Sequence, residues 1–207
     1  MPDPPPRASA ALSVADRRVA VVSTADTPAA FLDALASLRA TRLRPEARLT
    51  EVPAPARLAP WAVALSAEVD PGTDEDATTG RFVLLHDPAG QVAWEGTFRV
   101  VTLVRATLDP EVGTDPLLGR VAWSWVADAL AEAGAAHCAL GGTVTRVASE
   151  SFGALAERPE ETEVEIRASW TPIGAAGSQL AAWGNLLCTA AGLPPLPAGV
   201  TALGRRY

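Results

Sequence analysis

The chain has 207 residues with 48% in the hydrophobic set, but 42 of them are alanine, so the larger apolar side chains suffice for one core and hardly for two. Its 17 basic residues are all arginine and face 24 acidic ones, for a formal net charge of −7. That balance disfavours nucleic acid and anionic membrane as partners except through a local basic patch, while 20% charged residues are too few for a disordered polyelectrolyte.

Residues 1–18 are proline-rich and unpatterned and read as a disordered tail. Arg17-Arg18 is followed by only four apolar residues, which is too short a stretch for an export signal. No run approaches the length needed to span a membrane. With Cys138 and Cys188 far apart in a cysteine-poor chain, the expectation is a cytoplasmic protein with both thiols reduced. Residues 19–193 then form a single α+β domain, and the proline- and glycine-bearing stretch 194–207 is a loose C-terminal tail.

The first predicted helix begins near Thr27 as cap and Pro28 as first helical residue, with Phe31, Leu35 and Leu38 recurring at helical spacing. Arginines crowd its end, where cations suit the helix dipole, and Pro45 stops it. A proline-punctuated stretch leads to three strand-like runs over 61–69, 81–86 and 91–108. Asp87-Pro88-Ala89-Gly90 carries proline and glycine where a tight turn between the last two would want them. A second helix follows Thr114-Asp115-Pro116 and ends at Gly134. Strands over 137–147 and 162–170 come next; in the latter Val164, Ile166, Ala168 and Trp170 alternate with Glu163, Glu165, Arg167 and Ser169. A helix over 178–191 closes the domain. The expected fold is α+β: one antiparallel sheet of about five strands with three helices, in the order α-β-β-β-α-β-β-α, which is similar to secretion-chaperone-like folds.

Several segments carry a resemblance together. They are Arg42-Leu43-Arg44-Pro45-Glu46, Leu84-Leu85-His86-Asp87-Pro88-Ala89-Gly90, Ala93-Trp94-Glu95-Gly96-Thr97-Phe98, the run from Gly142-Thr143-Val144 to Ser151-Phe152-Gly153, and Glu165-Ile166-Arg167-Ala168-Ser169-Trp170-Thr171-Pro172. Over about residues 28–195 the chain resembles the actinobacterial family labelled domain of unknown function 3000. The resemblance implies a single cytoplasmic domain and transfers no catalytic or binding residue.

Candidate chemistry is sparse. His86, His137, Cys138, Cys188 and Asp87 are the available metal ligands, but adjacent residues 137 and 138 point to opposite faces of a strand, so no metal and no cofactor is expected. The acidic loop Asp70, Asp74, Glu75, Asp76 lacks the ligand spacing of a calcium-binding hand. Ser149-Glu150-Ser151 has no glycine elbow, so a serine nucleophile there is disfavoured. Arg99, Arg105, Glu163, Glu165 and Arg167 would share one polar sheet face, as cross-strand ion pairs or as the cradle of an enzyme of unassigned reaction. Arg39, Arg42, Arg44, Arg48 and Arg57 form the one locally basic stretch, which would serve an accessory role in RNA metabolism.

The second helix offers too much apolar arc, about 240°, for packing on a single sheet, and Trp123 and Trp125 project about 160° apart on it. The leading expectation is therefore a non-enzymatic interaction or chaperone-like protein with an unidentified protein partner. It would form a homodimer whose seam is lined by Trp123, Val126, Ala127 and Leu130.

Overall fold

The computed structural model describes residues 27–70, 77–158 and 160–194. The proposed tail 1–18, all but the first residue of the proposed tail 194–207, the segment 19–26, and Asp74, Glu75 and Asp76 of the acidic loop lie outside the described residues. Helix α1 (Ala29–Ala40) starts one residue later than Pro28 suggested, because the proline occupies the cap itself and its carbonyl accepts the first backbone bonds. Phe31 and Leu38, seven residues apart and so on one face, are buried. Strands β1 (Ala47–Val52), β2 (Trp61–Val69), β3 (Thr78–Gln91) and β4 (Gly96–Leu108) follow. The short helix α2 (Pro110–Gly113), helix α3 (Leu118–Glu132), strands β5 (His137–Ser149) and β6 (Glu161–Pro172), and helix α4 (Ala176–Ala190) complete the domain.

The sheet has six strands in the order β1-β2-β3-β4-β6-β5, and every neighbouring pair is antiparallel. This corrects the expectation of five strands and three helices: β1 and α2 are additional, and the element order departs from the one on which the likeness to secretion-chaperone-like folds rested. Strand β1 has no alternation to betray it, since Arg48, Leu49, Thr50 and Glu51 are all exposed; it exists by pairing with β2. The chain reversal between β3 and β4 also lies elsewhere. Residues 87–90 form a bulge, with the Asp87 carboxylate accepting from Ala89 N–H and Gln91 Nε2 and Gly90 at φ 72°. The reversal itself is a 3₁₀ turn, Val92–Trp94, closed by Glu95 in the left-handed region at φ 56°.

One face of the sheet carries α1, α3 and α4. In β6, Val164, Ile166, Ala168 and Trp170 face the helices and are buried, while the alternating Glu163 and Arg167 are exposed. Helix α4 lies over β3 and β4 and touches both other long helices. It comes so close at Gly80 that a Cβ there would stand 2.7 Å from Leu187 Cδ2 and 2.9 Å from Trp183 Cζ2. The core polar groups are satisfied: Trp170 Nε1 donates to Gln179 Oε1 at 2.7 Å, and Gln179 Nε2 donates to the Ala136 carbonyl at 3.1 Å.

The opposite face is covered only in part. Ala64, Val83 and Leu85 form a small second cluster beneath Val52, Ala54, Ala59 and Trp94, so the proline-rich stretch after β1 acts as a cover over β2 and β3. Arg81 Nη2 ties the start of that cover by donating to the Pro53 carbonyl at 2.8 Å. Beyond it, the surface formed by β4, β6 and β5 is open.

Candidate functional site on the open sheet face

Because the side-chain period of a strand is two and the registers are known, the open face resolves into rows that run across the sheet. One row is Arg81, Leu103, Arg167 and Thr143 on β3, β4, β6 and β5; the next is Val83, Val101, Ser169 and Gly141. These two rows bound a shallow groove of about 350 Å³. Its floor is apolar, with Val83, Val101 and Leu103 side by side, and no carboxylate among the described residues lines it. On the β5 side, Gly141 has no side chain and leaves the groove without a wall.

Arg99 closes one end. Its Nη1 donates to the Ala139 carbonyl at 2.9 Å and to Thr171 Oγ1 at 3.2 Å, and its Nη2 donates to Ser169 Oγ at 2.8 Å. All three acceptors are neutral, and partial burial pushes the guanidinium pKa down, opposed by the nearby Cys138 and Glu95. Arginine is basic enough to stay charged through such a shift. The Ala139 carbonyl reaches Arg99 from a bulge between Cys138 and Gly141, where Ala139 adopts φ 50°, a left-handed conformation that costs a non-glycine residue about 1–2 kcal/mol.

At the other end stands an ion-pair ladder. Glu165 accepts from Arg167 Nε at 2.5 Å and from Arg105 Nε at 2.6 Å, and Glu163 lies 3.7 Å from Arg105. The Arg167 bond first, and the Arg105 bond second, hold the Glu165 carboxyl below its ordinary pKa. Arg105, Glu163, Glu165 and Arg167 thus meet as one network, and Arg99 is separated from it by the groove.

The other sequence candidates fall elsewhere. Val126 and Leu130 of α3 are in the core, 1% and 2% exposed, so they are unavailable to an outer seam. Ala127 is exposed, and Trp123 is half-buried, its Cζ3 set 2.8 Å from where a Gly142 Cβ would stand. The excess apolar arc of α3 is absorbed by α4 on one flank and by β5 and β6 on the other. The basic stretch is dispersed. Arg44 is mostly buried and bonds to the Pro194 carbonyl at 2.7 Å and to Glu46 at 3.0 Å, and the bond with Glu46 raises its pKa and lowers that of Glu46. Arg48 sits on β1 opposite Glu68, and Arg39, Arg42 and Arg57 are exposed on separate segments.

His86 is 3% exposed on the helix-covered side, stacked on Phe98 at 4.1 Å and on Phe31 at 5.9 Å, with Nδ1 3.0 Å from the Thr97 carbonyl. His137 Nδ1 lies 2.8 Å from the Ala135 carbonyl. No group of three metal-ligating side chains occurs among the described residues. Both cysteines are free; Cys138 sits by Arg99, and Cys188 is buried in α4 near Arg44. Ser149 and Glu150 are exposed at the end of β5. Sequence reading missed Arg81 and Ser169 as site residues, because only the cross-strand register brings them beside Leu103 and Arg99.

The family model described as "Protein of unknown function (DUF3000)" matches residues 27–201. The chain belongs to the DUF3000 family. The match takes in the whole sheet, all four helices and both ends of the groove, so the open face is built from family sequence throughout. Comparison with curated proteins gave no match, and comparison with solved structures gave none. No helix among the described residues is long and apolar enough to cross a membrane.

Proposed function

We propose that this member of the DUF3000 family is a non-catalytic interaction protein that works as a homodimer in a reducing, cytoplasmic setting, its protomers joined edge to edge through β5. The single observation that carries the reading is the outer edge of β5. It is 13 residues long, lies at the end of the sheet, and holds no acidic residue and one arginine. Protected edges are short, charged or proline-bearing, whereas a long one with little charge is a template for another strand. The opposite edge, β1, is protected: it has six residues, among them Arg48 and Glu51, and Pro53 follows at once. A two-fold axis at Val144 would set Arg146 of one copy against Gly142 of the other, so no like charges would face each other across the pair.

A lack of catalysis is supported by where the reactive groups stand. The one buried imidazole is walled by two phenylalanine rings, and Glu163 and Glu165 of the open face are engaged by arginines. The two free thiols are in keeping with a reducing compartment. The test is sedimentation of the full chain beside the double variant Thr145→Lys, Val147→Lys, which places cations on exposed positions of the edge. The native chain should sediment as a dimer at micromolar concentration and the variant as a folded monomer. A native monomer at high concentration, or a variant that remains dimeric, overturns the proposal.

A further inference from the structure

We propose that the groove on the open sheet face is a binding site for a small amphipathic anion, an apolar body bearing one carboxylate. The site is built within one protomer and does not depend on the pairing of β5. Its apolar element is the block formed by Val83, Val101 and Leu103, contiguous across β3 and β4. Its charged element is a set of guanidinium groups around that block. Arg81 and Arg167 flank Leu103 in a single cross-strand row, about 10 Å apart at two strand spacings. Arg99 stands one row beyond the Val83–Val101–Ser169 row, opposite Leu85, and donates to Ser169 of the lining.

Charge complementarity selects the anion. The chain as a whole carries a net charge of −7, yet among the described residues the groove is lined by two arginines and no carboxylate. Arg167 is paired through its Nε with Glu165, and its guanidinium carries further donors at its terminal nitrogens. Arg81 and Arg99 bond to neutral oxygens, so their charge is not cancelled by those partners. An uncharged apolar ligand would cover Leu103 and Val101 but bring no charge to Arg81 and Arg99, which bond to neutral oxygens. A highly charged anion such as a polyphosphate would have nothing to place on the apolar floor. The volume of about 350 Å³ fits the small end of the range for organic ligands. The absent side chain at Gly141 leaves an open entrance from the β5 side, where an added Cβ would meet nothing within 4 Å.

The experiment is titration of the ¹⁵N-labelled full chain with sodium decanoate below its micellar concentration, read from amide shifts, with decanol as the uncharged control. Saturable decanoate shifts should centre on 81–83, 101–103, 141–143 and 167–169, with decanol at least about tenfold weaker, the factor that loss of one charge-assisted contact of about 1.4 kcal/mol implies. Arg81→Gln with Arg167→Gln should bring decanoate down to the level of decanol. Leu103→Asp should weaken both ligands. These variants change exposed or half-exposed positions, and their own amide spectra report folding. Shifts that centre on the cavity between α1 and α4, lined by Asp33, Ser37 and Phe98, would overturn the proposal. Equal binding of decanol and decanoate, or no saturable binding, would overturn it as well. The same titration on the Thr145→Lys, Val147→Lys variant separates this site from the dimer, since the site should survive when the dimer does not.

Discussion

At the scale of single residues, burial decides chemistry that composition leaves open. Cys188 is 2% exposed, and burial pushes its thiol pKa up from 9.0 to about 11, with the Arg44 charge opposing. The folded-state value lies above the unfolded one, so the stability this thiol contributes is whole below pH 9 and lost as the pH rises toward 11. Unfolding midpoints measured between pH 8 and 11 should fall, and the fall should be shallower in Cys188→Ala. In a thiol-reagent titration at pH 8 the half-exposed Cys138 should react fast and Cys188 only slowly; equal rates would contradict the burial argument. Glu165 shifts the opposite way, but it and its arginines lie at the surface, where such ion pairs contribute little net stability.

Elements differ in how much of their structure is local. Helix α3 has the residue pattern of a helix, and α4 and the sheet decide which of its faces is the inner one. Val126 and Ala127 are adjacent in sequence, yet the first is 1% exposed and the second is exposed. Val126→Asp should cost about 3 kcal/mol or more by placing an unpaired carboxylate in the core, while Ala127→Asp should stay within about 0.5 kcal/mol. Urea unfolding of the two variants measures the difference; similar losses would mean that α3 is rotated from its described position. Strand β6 was legible from its alternation because one of its faces is buried along its whole length. Strand β1 was not, because a solvated edge strand needs no apolar period and is held by backbone bonds to β2. The turn at residues 87–90 was misplaced for a related reason. Proline and glycine suit a bulge as well as a reversal, and the tertiary pairing of β3 with β4 selects the bulge.

For the molecule as a whole, α4 is the element on which the others depend. It packs on β3 and β4 and against α1 and α3, and it supplies Leu180, Trp183 and Leu187, each fully buried. A chain ending at residue 174 would expose Phe82, Leu84, Val100 and Val104, all 0% exposed in the intact fold. Such a truncation should lose the cooperative urea transition followed by tryptophan fluorescence, since the central strands β3 and β4 would lose the helix packed on them. A truncated chain that still unfolds cooperatively would show that α1 and α3 suffice. The long-range pairing of β4 with β6, across α2, α3 and β5, makes the sheet the slowly assembled part of the fold.

Much of this architecture is local in origin. Composition sets a single core, the period of apolar residues places the long helices and the buried strands, and the segments that resemble the DUF3000 family run through the sheet and its turns. The residues of the ion ladder were visible too, since a strand with alternating charge has a polar face wherever it pairs. What the residues could not state is which strands are neighbours. Inserting β6 between β4 and β5 is what brings Arg167 beside Leu103, and Leu103 beside Arg81, and leaves β5 at an open edge. Register and strand order arise from contacts between residues distant in the chain, whose energies depend on all the surfaces buried together. The groove and the edge are therefore properties of the assembled sheet alone.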